Sequence, residues 1–407
     1  MKNTLLAPLK HPAFRLLWAG MAASYAGDRL QELAQGWLVA SLTQSSAMAV
    51  GWIGVLSAIP QLLMPLGGVV ADRLDRRKLL IAGQFSGAAV SLVVGGLVLS
   101  GRVAPGHIYA WAVFSGFIWL VSRPAFKVII TQAVPAGLVR SAVALNSMSE
   151  TLSMLVVNAL GSLMVSAVGL PSAFILNTAS YLAAGGSLWK LPELSRPSPA
   201  PGERFTGREI LKGLWEGILY LAASPALLYP LLLTFLTMVV VAPAFSLLAA
   251  LVHRQGGTIT TLGLLGAASS LGSFLGAVYA GSRGEGHSPA RLYALHGLGC
   301  AAALGLFILL PVGALTALPL AVVGFLLFSE AVWNTSRVRL LAAEAFQARL
   351  QSITTMAFTL GGALGALWGG AALDRLGQPG LWIGAGLLTA VSLGFLMTKK
   401  GAGSFSP

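Results

Sequence analysis

Cysteine is almost absent from this chain of 407 residues, with Cys300, inside an apolar run, as the single example. One thiol excludes a disulfide framework and a thiolate metal site. Charged residues make up only 10% of the sequence, against roughly 25% in a soluble domain. The five histidines (His11, His107, His253, His287 and His296) do not cluster, which argues against soft-metal binding. No Walker sequence is found, so nucleotide hydrolysis by that route is excluded. A convergent set of nucleophile, base and metal ligands is missing as well, which argues against an enzyme and leaves no cofactor to expect. The net charge of +13 hints at nucleic acid, but the basic residues stand singly or in short runs between apolar segments. That is the arrangement of loops facing an anionic membrane surface, not a basic groove with interleaved aromatics. Leu5–Leu9 is too short for the core of a cleavable signal peptide, and the first apolar segment runs on to spanning length.

Apolar sequence is what the chain has in abundance: 56% of residues are hydrophobic and the mean hydropathy is +0.79. An all-α polytopic membrane protein needs that much apolar surface, and a soluble fold of this length does not. Twelve spans are expected, near 12–42, 47–71, 79–100, 104–125, 141–169, 171–190, 225–252, 258–282, 290–310, 314–336, 349–373 and 379–398. Each reaches the ~20 residues that a bilayer requires. Pro60, Pro65 and Pro243 permit bending in the second and seventh. With the N-terminus inside, all of the 26 lysines and arginines except Arg29, Arg102, Arg254 and Arg375 fall in cytoplasmic segments, so both termini are expected in the cytoplasm. Residues 191–207 hold Pro192, Pro197, Pro199 and Pro201 and read as a linker. Beyond it, Ile210, Leu211, Leu214, Trp215, Ile218 and Leu219 oppose Glu209, Lys212 and Glu216, the pattern of a helix lying on the inner membrane surface. The expected domains are 1–190 and 225–407, with 191–224 as linker and surface helix.

One stretch inside the first span breaks the apolar pattern. In Tyr25–Trp37, YAGDRLQELAQGW, the residues Asp28, Gln31, Glu32 and Gln35 fall at i, i+3, i+4 and i+7 and make one polar stripe. Charges at bilayer depth cost about 2.5–3.5 kcal/mol each, so such a stripe must face other helices or enclosed water. Arg29 lies three residues before Glu32 and can pair with it, leaving Asp28 as the titrating or substrate-binding group. A carboxylate in a low-dielectric cavity can hold a proton at physiological pH or, ionised, bind a cation.

The loop Gly68-Val-Val-Ala-Asp72-Arg73-Leu-Asp75-Arg76-Arg77-Lys78 resembles the signature loop of the major facilitator superfamily, with Asp75 where many members have glycine. Phe14-Arg15-Leu-Leu-Trp18, Gly27-Asp28, Pro60, Arg123-Pro124, Ala144-Leu-Asn146-Ser147 and Ala173-Phe174-Ile-Leu-Asn177 extend the resemblance. They are similar to the bacterial exporter branch that includes enterobactin exporters and macrolide or multidrug efflux proteins. The resemblance implies two pseudo-symmetric six-helix bundles, with spans one, four, seven and ten lining a central cavity. Asp28, Glu32 and Glu330 are then the best-placed carboxylates, with Asn334 one turn beyond Glu330 and Arg337 another turn on. Arg123 guards the inner end of the cavity, while Glu150 and Asn158 share a polar side of the fifth span. That span lacks the Gly-Pro of many drug antiporters. Gly68, Asp72, Arg73, Arg76 and Arg77 form a gating loop in which Asp72 and Arg73 carry the role and Arg76 and Lys78 read as ordinary inside charges. Gly369-Gly370-Ala-Ala-Leu-Asp374-Arg375 echoes that pattern at the outer end of span eleven. Trp52, Trp111, Trp119 and Trp333 are candidates for a drug pocket or, singly, for core, and His296 reads as a hydrogen-bonded packing residue.

The function expected is secondary active transport: a proton-coupled exporter of amphipathic drugs or siderophore-like compounds, working by alternating access as a monomer in the bacterial inner membrane. Its partners are a small-molecule substrate, protons and the lipid bilayer, and not nucleic acid. The alternatives are a metal-ion exporter resembling ferroportins, a lysophospholipid flippase, or a scaffold, for which acids in the first span have no use.

Overall fold

The computed structural model describes residues 5–63, 75–191, 207–282 and 290–397. Among them every regular element is helical, as lipid demands, since a spanning segment must satisfy each backbone N–H and C=O internally. The helices are α1 (Pro12–Leu42), α2 (Ala47–Leu62), α3 (Arg76–Leu99), α4 (Pro105–Gln132), α5 (Val139–Val156, continuing through Val157–Gly161 into Ser162–Val168) and α6 (Pro171–Trp189). Then follow α7 (Gly207–Ala222), α8 (Pro225–Ser246), α9 (Leu248–Arg254), α10 (Ile259–Ser282), α11 (Ala290–Leu309), α12 (Ala317–Leu341), α13 (Glu344–Leu376) and α14 (Trp382–Met397). Nine helices among the described residues are long and apolar enough to cross a membrane. α1, α2 and α6 occupy the three remaining expected positions. The linker residues 192–206 and the gating residues Gly68, Asp72 and Arg73 lie outside the described residues, as does Pro65.

Local chemistry explains several boundaries. Proline opens α4, α6 and α8, where its missing N–H costs nothing. Asp75 caps α3, its carboxylate accepting from the N–H groups of Arg77 (3.0 Å) and Lys78 (3.1 Å); the departure from glycine supplies an N-cap. Arg77 caps a different helix end, donating through Nε to the Leu188 carbonyl at 2.9 Å and through Nη2 to that of Trp189. Val157–Gly161 is a π-helical turn, an irregularity that bends a helix and often marks a functional segment.

The described residues fall into two compact units: Met1–Leu38 with Ile59–Phe205, and Val39–Ala58 with Thr206–Pro407. In the first unit α1 lies close on α6. A Cβ on Gly20 would stand 2.2 Å from Ser187 Oγ and one on Gly27 2.1 Å from Ser180 Oγ, so small residues seven apart set the approach. A core of Phe14, Leu17, Leu80, Phe126, Ile129 and Leu188 fills the end of this unit beside the α3 cap. In the second unit α10 and α12 meet backbone on backbone through Gly272, Gly276 and Gly324. Gly361, Gly365 and Gly369 of α13 likewise bear on α8 at Met238, Ala242 and Pro243. The helix α7 exposes Trp215, Ile218 and Leu219. It is fastened to α13 by Glu216, which pairs with Arg349 at 2.7 Å, and by Tyr220 stacked on Phe346 with ring centroids 4.5 Å apart.

Candidate functional site

The polar stripe of α1 divides among three environments. Gln31 and Gln35 are buried, and the Gln31 side-chain oxygen accepts from Ser91 Oγ (2.6 Å) and Asn177 Nδ2 (2.7 Å), which ties α1 to α3 and α6. Glu32 is exposed and bound to Arg29 at 2.6 Å. Asp28 is half-buried and turned elsewhere: Tyr181 Oη donates to its Oδ1 at 2.5 Å and Asn177 Nδ2 lies 3.4 Å from the same oxygen. The arginine therefore pairs with one acid of the stripe, while the other takes its hydrogen bonds from the uncharged donors Tyr181 and Asn177.

Asp28 opens onto a cavity of about 270 Å³ within the first unit, lined by α1, α3, α4, α5 and α6. Its wall carries Ser24, Tyr25, Gln84, Asn146 and Tyr181 together with Trp119, Arg123, Lys127 and Glu150. Arg123 pairs with Glu150 at 2.5 Å and lies over the Trp119 ring at 4.3 Å, so cation, anion and aromatic face present themselves together. Both partners are partly solvated, so the pair itself is weak. A double-mutant cycle of Arg123→Ala and Glu150→Ala, read by thermal denaturation, is expected to give a coupling below about 1 kcal/mol. A larger value would mean that the pair is a structural clamp rather than a wall of the cavity. Asn158 sits half-buried in the π-turn of α5 and is not among the residues lining this cavity.

The second unit has a cavity of a different character. It measures about 210 Å³ and is lined by α8, α12 and α13. Thr234, Asn334, Thr335, Gln351, Thr354 and Thr355 lie on its wall with Phe235, Phe328 and Phe358, and no lining residue is charged. Much of the polarity is already spent. Asn334 donates to Thr234 Oγ1 at 2.8 Å. The hydroxyls of Thr335, Thr354 and Thr355 donate to the carbonyls of Ala331, Leu350 and Gln351 in their own helices. What remains toward the cavity is mainly methyl and phenyl surface.

Glu330 is fully buried on α12 and is not among the residues lining that cavity. The Thr234 hydroxyl, which accepts from Asn334, is within reach of its carboxyl group, and no closer hydrogen-bond partner stands among the described residues. An ionised carboxylate so placed is costly, whereas a proton-bearing one is tolerated. Arg337, two turns on, is buried with its guanidinium over the Tyr293 ring at 5.8 Å. His296 bears on Trp333 and hydrogen-bonds the Leu326 carbonyl, the packing role expected of it. Among the described residues no three His, Cys, Asp or Glu side chains come together as a metal ion would require.

Tyr181, the principal partner of Asp28, escaped the sequence reading because a tyrosine near a helix centre looks like any core aromatic. The seven-residue spacing of Gly20 and Gly27 was a usable sign that α1 presses on a neighbour there. Asn177, Ser180 and Tyr181 form the polar side of the helix it presses on.

Comparison with known proteins agrees with this architecture. The family described as "Transmembrane secretion effector", within the major facilitator superfamily, matches residues 3–401. The enterobactin exporter EntS of Shigella flexneri is 27% identical over 358 residues, covering 88% of this chain and 84% of that protein. EntS of Escherichia coli O81 (strain ED1a) is 27% identical over 365 residues with the same coverage. Among solved structures, a bacterial homologue of the human lysosomal transporter Spinster, inward-facing and unoccupied, superposes with a TM-score of 0.68 at 14% identity over 96% of both chains. The nucleoside transporter NupG superposes with a TM-score of 0.69 at 13% identity, covering 93% of this chain and 99% of that one. These two likenesses bear on the fold alone.

Proposed function

The chain belongs to the transmembrane secretion effector family of major facilitator transporters, and on that footing we propose that it is a proton-coupled exporter of amphipathic small molecules. The observation that carries this reading is the contrast between the two cavities. One holds Asp28, Glu150, Arg123 and Trp119, and the other offers uncharged methyl and phenyl surface. A charged or strongly polar group has its complement in the first unit, and an apolar aromatic group has its complement in the second. The curated relatives export enterobactin, so siderophore-like aromatics belong with cationic amphiphiles among the substrates to be tried.

The chemistry is competition at a carboxyl. Asp28, with Tyr181 donating to one oxygen, binds either a proton or a polar substrate group, so the arrival of one releases the other. Glu330, fully buried with only the Thr234 hydroxyl in reach, is a second station for a proton. Alternating access exposes these groups first to one side of the membrane and then to the other. The protein sits in the bacterial inner membrane as a monomer, with both termini in the cytoplasm. The helix α7 lies in the inner interface with Trp215, Ile218 and Leu219 in lipid.

Reconstitution into proteoliposomes tests the reading. Cationic dyes and catecholate siderophores are expected to move when a pH gradient is imposed and to stop when a protonophore collapses it. Movement of substrate that ignores the gradient would overturn proton coupling, and no movement across the panel would overturn the substrate class. Tyr181→Phe supplies a graded check. It removes the short bond to a charged acceptor, worth about 1.5–3 kcal/mol, and is expected to reduce transport by about 10- to 100-fold at unchanged protein level. Wild-type transport by Tyr181→Phe would detach the phenol from the mechanism.

A further inference from the structure

The turn from α1 into α2 is fastened by more polar contacts than a plain loop needs. Gln44 and Ser45 lie at φ values of 52° and 64°, left-handed backbone that side chains other than glycine adopt only under constraint. The constraint comes from other helices of the same unit. Asp374, near the end of α13, accepts from Ala47 N (2.8 Å) and Ser46 Oγ (2.9 Å) and from Met48 N at 3.0 Å. A carboxylate from a distant part of the chain thus caps the first turn of α2. Arg254, closing α9, donates through Nη2 to Asp374 Oδ1 (2.6 Å) and the Ser45 carbonyl (2.9 Å), and through Nη1 to the Leu373 carbonyl (2.7 Å). His253 Nδ1 shares a hydrogen bond of 2.8 Å with Ser45 Oγ. A Cβ on Gly370 would stand 2.9 Å from Met48 Cα, so the backbones touch and only glycine fits.

We propose that Asp374 and Arg254 are gating residues, a releasable clasp on the turn at residues 43–48 that holds the outer side shut in one state of the transport cycle. The inference rests on the transporter reading above. Three features make the clasp releasable rather than permanent. Its ion pair is partly solvated, with side-chain exposures of 35% for Arg254 and 27% for Asp374, so water can take over each partner on opening. The left-handed turn relaxes when let go, which offsets part of the cost of parting. The clasped segment, Val39–Ala58, is compact with the second unit although the chain on either side of it belongs to the first. The turn is thus held by polar contacts of the second unit while the chain at both its ends runs on into the first. The Gly-Gly-x-x-x-Asp-Arg echo at the end of α13 is then the outer counterpart of the inner signature loop, with its aspartate on the α2 terminus.

Site-directed labelling tests this without knowledge of the substrate. Ser147→Cys, on the wall of the first cavity, serves as the single thiol in a Cys300→Ala background, in right-side-out membrane vesicles treated with a membrane-impermeant thiol reagent. Asp374→Ala and Arg254→Ala are each expected to raise the labelling rate about tenfold, a shift of about 1.4 kcal/mol in the two-state equilibrium. In a second variant, Ser46→Cys with Asp374→Cys, an oxidant should join the two thiols and suppress labelling of Ser147→Cys, and dithiothreitol should restore it. Equal labelling by a permeant reagent shows that the variants are intact. An unchanged rate in intact Asp374→Ala, failure of the two cysteines to join, or normal labelling of the joined protein would each overturn the clasp. Because labelling does not depend on what is carried, a silent transport panel would count against the substrate reading and leave this result standing.

Discussion

Asp28→Asn is expected to reduce gradient-driven export by about 100-fold or more, equivalent to roughly 2.7 kcal/mol, while the protein inserts and folds at the wild-type level. Asparagine has the shape of aspartate, and its side-chain oxygen can still accept the Tyr181 hydroxyl that now meets Asp28 Oδ1 at 2.5 Å. The seat between α1 and α6 is therefore kept. What disappears is the charge and the capacity to take up and release a proton, the two properties the proposed competition requires. Glu32→Gln is the matched comparison. That carboxylate is more exposed, is already paired with Arg29, and is not among the residues lining the cavity, so its loss is expected to cost less than about threefold, as befits an exposed pair. The two substitutions remove the same charge from one helix, one turn apart. Transport by Asp28→Asn at the wild-type rate would sink the mechanism, and a collapse in Glu32→Gln of the same size would show that the wrong acid had been chosen.

Periodicity carried much of this architecture, because a bilayer forces apolar sequence into helices. The 3.6-residue repeat was enough to put Asp28, Gln31 and Gln35 on an inward face. It could not divide that face, since Gln31 turns to Ser91 and Asn177 while Asp28 turns to Tyr181, and those partners lie about 60 to 150 residues away in sequence. The pairing of Arg29 with Glu32 was legible because it is local, three residues within one helix. Asp374 was legible only as a faint repeat. Its meaning depends on α2 ending its fold against α13, a contact that no local pattern encodes. Asp75 reads as a departure from a family pattern until the capped first turn of α3 shows that the aspartate has a local task. Glu330 shows the limit most clearly. Helical spacing puts it one turn and only about 40° from Asn334, yet only Asn334 lines the cavity: the packing of α10 and α11 against α12 decides which of two such neighbours is sealed in, and no local pattern carries that.

That packing yields the other large expected effect. Gly272→Val should destabilise the protein by about 3 kcal/mol or more, the upper range for overpacking, because the clash is with backbone rather than with a side chain that can swing aside. An ideal Cβ on Gly272 would lie 1.9 Å from the Ala321 carbonyl oxygen, and one on Gly276 2.1 Å from that of Phe325. Facing them, a Cβ on Gly324 would lie 2.4 Å from the Ser269 oxygen. Three glycines from two helices thus bring α10 and α12 together with no side chain between them. Valine in place of Gly272 has to push the helices apart over several turns, and α12 carries Glu330 and Asn334 with it. A thermal midpoint well below wild type is expected in detergent, together with loss of transport even where protein survives. Gly281→Ala, on the same helix with no atom within 4 Å of its Cβ position, is expected to be neutral or stabilising by up to about 1 kcal/mol. If Gly272→Val melts with wild type, α12 is not pressed against α10 along this line. The register that seals Glu330 in while Asn334 faces the cavity would then have to be drawn differently.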